Sequence, residues 1–197
     1  MPLDSLLTLF ILAVTTAFTP GPNNVLVANS AVQFGLRRSV PHILGIGLGF
    51  PLMIFIVGFF LAGIFRQSEL LRETLRWGGA LILLWVAWKV AVSGGIGSVS
   101  GKPRPFTFVE AAAFQWINPK AWTMAVAITS QFVSGAAPLV SALIVAGVFI
   151  CVGLTSASSW AIAGSAITRW LTTEGRMRWF NRAMGALIAA CVGLLLL

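Results

Sequence analysis

Two short polar motifs interrupt long apolar stretches of this sequence, and both contain proline. The first is Thr19-Pro20-Gly21-Pro22-Asn23-Asn24 and the second is Asn118-Pro119-Lys120. Proline removes a backbone donor and clashes with the preceding helical turn, so each motif predicts a break in a helix. A break leaves carbonyl and N–H groups without helical partners, and these groups can bind a polar ligand.

The first motif has the residue types of an anion site. A new helix can begin at Pro22, because proline is favoured at the first helical position. The free N–H groups and the positive end of that helix suit a carboxylate, and Asn23 and Asn24 add amide donors and acceptors. The alternative is that the motif only kinks a helix.

Lys120 adds a cation in the middle of an apolar segment. Such a charge costs about 2.5–3.5 kcal/mol at the centre of a bilayer, which favours a side chain that faces a cavity. There it could bind a substrate carboxylate or release its proton. Gln115, five positions earlier, is a further candidate for the same cavity. The predicted substrate-binding residues are Thr19, Pro20, Gly21, Pro22, Asn23, Asn24, Gln115, Asn118, Pro119 and Lys120.

Acidic residues and metal ligands are scarce. Glu110 and Asp4 are, with Lys120, the candidates for carrying a coupling proton, although Asp4 also fits a simple residue at a membrane edge. One His and two distant Cys give no metal-site spacing, and no nucleophile with a base or metal pair is visible. We therefore predict no metal, no cofactor and no enzymatic activity.

The composition restricts which elements can position these residues. Hydrophobic residues make up 58% of the 197 residues and charged residues 9%, against about 25% charged in a soluble domain. This excludes a soluble globular protein, and disorder requires the opposite composition. The net charge of +8 does not indicate nucleic-acid binding, because the basic residues lie in short gaps between apolar runs. The sequence predicts an all-α integral membrane protein.

A membrane-spanning helix needs about 20 predominantly apolar residues, and six segments approach this. They run from about Leu6 to Val32, Pro41 to Ile64, Trp77 to Ser93, Phe106 to Val133, Pro138 to Ala163 and Ala183 to Leu197. The two motifs interrupt the first and the fourth, so these two helices should be broken.

The two halves of the chain match in the position of their breaks. Pro20 and Pro119 are 99 positions apart, about half of the chain. Because each half has three spans, the halves would be inverted relative to one another, and paired breaks in inverted halves indicate a transporter's binding site. We predict one membrane domain, 1–197, with repeat one at about 1–93, a linker at about 94–105 and repeat two at about 106–197.

Basic residues in the gaps predict the orientation. Eight lie after segments one, three and five, and three lie on the opposite side. The eight are Arg37, Arg38, Lys102, Arg104, Arg169, Arg176, Arg178 and Arg182. Because basic residues concentrate on the cytoplasmic side, both termini should face the periplasmic or outer side.

These motifs, with Gly-Leu-Arg-Arg before a Gly-rich second segment, Trp-Val-Ala-Trp-Lys in the third and Asn-Pro-Lys-Ala in the fourth, resemble the lysine exporter (LysE/RhtB) family along essentially the whole chain. The Thr-Pro-Gly-Pro-Asn-Asn form and Phe114-Gln115 are most similar to its cysteine/O-acetylserine exporter branch. The resemblance implies amino-acid export across the bacterial inner membrane, driven by protons. The chain departs from the family at Val109-Glu110-Ala111, where glycine often follows a Phe, so Glu110 is a candidate for tuning coupling or substrate.

We therefore predict a proton-coupled antiporter that exports small amino acids or derivatives of the cysteine/O-acetylserine or homoserine/threonine type. An inorganic-ion exporter or a passive channel of similar architecture is the alternative. The expected partners are the amino-acid substrate, protons and the lipid bilayer, with no nucleic acid. A homodimer is also considered, through the small-residue face of Gly45 and Gly49.

Overall fold

A computed structural model describes residues 1–61, 69–92, 104–133 and 137–196. Within these ranges the chain is helical and contains no strand. The helices are α1 (Leu3–Phe18), α2 (Pro22–Phe34), α3 (Val40–Ile56), α4 (Glu69–Val92), α5 (Phe108–Phe114), α6 (Pro119–Phe132), α7 (Pro138–Ile167) and α8 (Glu174–Leu196). A π-helical turn, Val57–Leu61, extends α3, and single 3₁₀ turns cover Arg37–Ser39 and Gln115–Ile117. Most of the predicted linker, 94–103, lies outside the described residues.

Two stretches of the described chain are long and apolar enough to cross a membrane as single helices, Arg37–Phe60 and Pro138–Ile167. A third arises if α1 and α2, bent by 53° at their junction, form one broken span. Trp77–Val92 is apolar but shorter. The all-helical class with apolar spans is therefore confirmed, whereas the count of six spans in two inverted repeats stays a prediction.

Both helix breaks occur where the prolines predict them. The first separates α1 from α2, and Pro22 is the first residue of α2. The second separates the 3₁₀ turn after α5 from α6, which begins at Pro119. In each case proline begins the second helix, where its missing N–H costs nothing and its fixed φ suits the helix.

The two largest of the four buried clusters in the described chain each contain one part of each broken helix. The first lies between α1, α3, α6 and α7, with Leu9, Met53, Ile128 and Phe149 at its centre. The second joins α2, α4, α5 and α8. Each break therefore lies where the chain passes from one cluster to the other, so its polar backbone groups lie beside protein.

Small residues allow close helix contacts, as the glycine pattern predicts. A side chain at Gly45 or Gly49 would collide with Ala111 or Ala112 of α5. This agrees with the packing role of small residues between membrane helices. The same contact corrects the idea of a dimer through this face, because α5 of the same chain already covers it. A homodimer formed elsewhere is untested.

Candidate substrate site at the two helix breaks

Side chains from other parts of the chain donate hydrogen bonds to the free carbonyl groups at the end of α1. Asn24 Nδ2 donates to the carbonyl oxygens of Ala17 at 2.9 Å and Thr19 at 3.0 Å. Ser156 Oγ, on α7, donates to the Ala17 carbonyl at 2.8 Å. These bonds satisfy carbonyls that a continuous helix would have paired internally. Asn24 and Ser156 therefore hold the broken backbone in place.

Lys120 reaches from α6 to the first break. Its Nζ donates to the Thr19 carbonyl oxygen at 2.9 Å and lies 3.4 Å from that of Pro20. A Cβ at Gly21 would lie 2.9 Å from both Cδ and Nζ of Lys120, which is closer than side-chain atoms normally approach. The glycine thus makes room for the lysine, and the two motifs predicted separately from the sequence form one site.

Side-chain amides make a second connection between the breaks. Asn23 Nδ2 donates to Gln115 Oε1 at 2.7 Å, and Gln115 Nε2 donates to Asn23 Oδ1 at 3.3 Å. Gln115 is fully buried and also donates to the Ala111 carbonyl at 2.9 Å. Asn118 caps α6, because its Oδ1 accepts from the Lys120 backbone N–H at 3.1 Å. The start of α2 is therefore fixed against the second break.

A small cavity of about 60 Å³ opens at this junction. Its polar lining residues are Thr16, Asn23, Asn24, Asn118, Lys120 and Ser156. Its apolar part includes Ile46, Phe50, Met124 and Phe149. No acidic side chain of the described residues lines it.

Sequence reasoning missed part of this lining. Ser156, Phe50 and Phe149 lie in long apolar helices where nothing in the local pattern marks them. Of the predicted residues, Gly21, Asn23, Asn24, Asn118 and Lys120 line the cavity directly. Thr19, Pro20, Pro22, Gln115 and Pro119 form or hold the surrounding backbone.

The other two candidates for proton coupling lie elsewhere. Glu110 receives hydrogen bonds from Arg104 at 2.6 and 2.7 Å, and it forms a capping box with Thr107 at the start of α5. Asp4 is exposed in the first turn of α1. Neither residue lines the cavity, so Lys120 is the coupling candidate that the structure places there. In the described part of the chain no three His, Cys, Asp or Glu side chains cluster as a metal site would require.

We expect alkylation of Cys191 to inhibit transport. Its half-buried thiol lies 3.8 Å from the Pro20 carbonyl oxygen, beside the break that Lys120 contacts. A bulky adduct there would displace the backbone of the site. Maleimide treatment should therefore reduce transport by about tenfold or more, because overpacking a close contact costs about 1–3 kcal/mol. Cys191→Ser should transport normally and resist the reagent, whereas Cys151→Ser, which changes an exposed thiol on α7, should remain sensitive. Equal sensitivity of both variants would contradict this placement.

We expect Gln115→Leu to destabilise the protein by about 1–3 kcal/mol, the cost of leaving a polar partner unsatisfied. The unpaired group would be the Asn23 amide. The double variant Asn23→Leu/Gln115→Leu should be less destabilised than this single variant, because no amide is left unpaired. Thermal unfolding in detergent measures both, with Gln131→Leu as the exposed control. A double variant as unstable as Gln115→Leu, or less stable than it, would show that the two amides are not coupled.

Comparison with known proteins identifies the family. The family of LysE type translocators matches residues 14–197. The chain is 31% identical over 184 residues to a cysteine/O-acetylserine efflux protein of Escherichia coli (strain K12), with 89% of each chain covered. Proteins of the same name from Salmonella typhimurium (29% over 180 residues) and Shigella flexneri (30% over 184 residues) cover the same shares. No solved structure is significantly similar. The chain, with its apolar helices broken at two paired motifs, belongs to the LysE family of membrane translocators.

Proposed function

We propose that this protein exports small neutral amino acids or their derivatives, of the cysteine and O-acetylserine type, from the bacterial cytoplasm in exchange for protons. The observation that carries the proposal is the Lys120 ammonium, which lies beside two helix starts in a cavity that no acidic side chain of the described chain lines. The names of the relatives support the same substrate class.

The site offers separate partners for the parts of an amino acid. The carboxylate would bind Lys120, aided by the positive ends of α2 and α6. The ammonium group would bind carbonyl and amide oxygens at the first break. A small side chain would face Phe50, Met124 and Phe149, which line the apolar part of the cavity. A long basic side chain finds no acidic partner among the described residues that line the cavity, which favours neutral substrates.

Helix packing supports two related halves, and we propose that they move against each other during transport. Helix α3 packs on α7, and α4 packs on α8. In addition, α1 contacts α7, and its counterpart α5 contacts α3. These are the pairings that a two-fold relation between residues 1–93 and 106–197 would produce. We propose six spans with both termini on the periplasmic side, on the basis of the distribution of Arg and Lys in the gaps. Transport would require the contacts of Lys120 and Gln115 across the breaks to open and re-form.

Uptake into inside-out vesicles tests the function. Labelled cysteine, O-acetylserine, homoserine, threonine and lysine are compared with and without an imposed proton gradient. We expect gradient-dependent uptake of cysteine and O-acetylserine and little uptake of lysine. Uptake that continues unchanged after the proton gradient is collapsed would indicate a channel. No uptake of any of them by folded protein would overturn the proposed substrate class.

A further inference from the structure

The Lys120 ammonium already shows how the cavity holds a primary ammonium group. Its Nζ donates to the Thr19 carbonyl oxygen and lies within 3.4 Å of that of Pro20. Both carbonyls follow the last turn of α1, whose C-terminal end carries partial negative charge. Neutral oxygens at the negative end of a helix form a site for a cation that donates hydrogen bonds.

An amino-acid substrate presents the same group. No acidic side chain of the described residues lines the cavity, so the substrate's α-ammonium must bind neutral oxygen atoms. The carbonyls of Thr19 and Pro20 hold a primary ammonium at the edge of this cavity. In the structure, however, Lys120 occupies them.

We propose that the Lys120 ammonium occupies the subsite of the substrate's α-ammonium, and that the substrate binds by exchange. The substrate's ammonium replaces Lys120 on the carbonyls of Thr19 and Pro20, and the released Lys120 binds the substrate's carboxylate. This inference rests on the proposed function and adds the location and the order of the contacts. The long stem of Lys120 passes beside Gly21, where no side chain blocks its movement.

The exchange explains why a ligand would need both charged groups. A compound with an ammonium but no carboxylate displaces Lys120 and leaves it without a partner. A compound with a carboxylate but no ammonium finds Lys120 held by the carbonyls. Each group alone therefore binds weakly, whereas both together leave no charge unpaired.

The test uses two amines that resemble cysteine without its carboxylate. Cysteamine carries a primary ammonium, and thiocholine is its trimethylated form, which cannot donate hydrogen bonds. Their binding to the full chain in lipid nanodiscs is measured by calorimetry, beside cysteine and O-acetylserine. We expect the wild type to bind cysteine at least about tenfold more tightly than cysteamine.

In Lys120→Ala the ammonium position at the carbonyls of Thr19 and Pro20 is empty, and each carbonyl keeps one other contact, from Asn24 to Thr19 and from Cys191 to Pro20. We expect this variant to lose cysteine affinity and to bind cysteamine at least about tenfold more tightly than the wild type does, because the primary ammonium takes the vacated carbonyls. The affinity for thiocholine should rise less than about threefold, since only the removal of a positive charge favours its binding. The ratio of the two gains separates a hydrogen-bonding subsite from general electrostatics. Lys120→Gln has an amide that can still donate a hydrogen bond to the carbonyls, so its affinity for cysteamine should rise less. This variant replaces Lys120→Ala in the test if the alanine variant does not fold.

Two results would overturn the exchange while leaving the proposed function intact. One is that the wild type binds cysteine but neither variant gains cysteamine affinity. The other is an equal gain for cysteamine and thiocholine. Failure of the wild type to bind either cysteine or O-acetylserine is a different outcome, because it would overturn the proposed function and the exchange with it.

Discussion

Export by Lys120→Ala is expected to fall by roughly 30- to 700-fold, because loss of one partner of a buried charge pair costs about 2–4 kcal/mol. The variant removes the one cationic side chain among the described residues that line the cavity. It also removes the lysine from the Thr19 and Pro20 carbonyls, which stay accessible to water through the cavity. Substrate binding should therefore suffer far more than folding.

The matched control is Lys89→Ala. Lys89 lies on α4 with its Nζ 5.6 Å from the centre of the Trp85 ring, and it is not among the cavity residues. The measurement is gradient-dependent uptake into vesicles, normalised to the amount of each protein in the membrane. Uptake by this variant should stay within about twofold of the wild type, because an exposed cation–π contact contributes little energy. Retained export by Lys120→Ala would show that Lys120 has no role in the substrate site.

The parts of the site that could be predicted from the sequence are those whose physics is local. Proline disrupts its own turn whatever surrounds it, so the breaks at Pro20 and Pro119 could be placed within a residue or two. A lysine within an apolar segment needs a polar partner wherever the chain folds, so a cavity-facing Lys120 also followed. Which groups it contacts did not follow, because the Thr19 carbonyl is 101 positions away in the chain.

Contacts across the fold explain what could not be predicted. Asn23 and Gln115 were both candidates, but their reciprocal bond joins residues 92 positions apart. Ser156 lies in a 30-residue apolar helix with no motif around it. Glu110 is a candidate for proton coupling in the sequence, because the sequence does not reveal its ion pair with Arg104. That ion pair depends on the turn before α5. For these residues the partner, rather than the residue type, determines the role.

Helix ends were less predictable than helix positions. Hydropathy predicts that the third apolar segment begins at Trp77, whereas α4 begins at Glu69. Hydrophobicity marks only the apolar part of a helix, whereas the helix itself can continue into charged sequence. Here Trp77 Nε1 donates to Glu73, one turn earlier, at 3.0 Å.

Gly21→Ala should reduce export by about tenfold, because it displaces Lys120 from its hydrogen bond at the first break, and a hydrogen bond to a charged group contributes about 1.5–3 kcal/mol. The new Cβ would lie 2.9 Å from Cδ and Nζ of Lys120, so the lysine must leave its present position beside the break. Gly21 has an extended backbone, with φ of −168°, which alanine also adopts. The expected effect therefore comes from the collision with Lys120 rather than from backbone strain.

A double-mutant cycle isolates that collision. Gly21→Ala should lower the thermal unfolding midpoint of the wild type, but it should have a smaller effect in a Lys120→Ala background, where the side chain it meets is gone. Residues in contact typically show such coupling at about 0.5–3 kcal/mol. Gly147→Ala, on α7 with open space around the position, is the control for adding a methyl group. An equal shift of the unfolding midpoint in both backgrounds would mean that Gly21 matters only as the cap of α2. A coupled loss of stability and export would link the two breaks through the contact of Gly21 with Lys120.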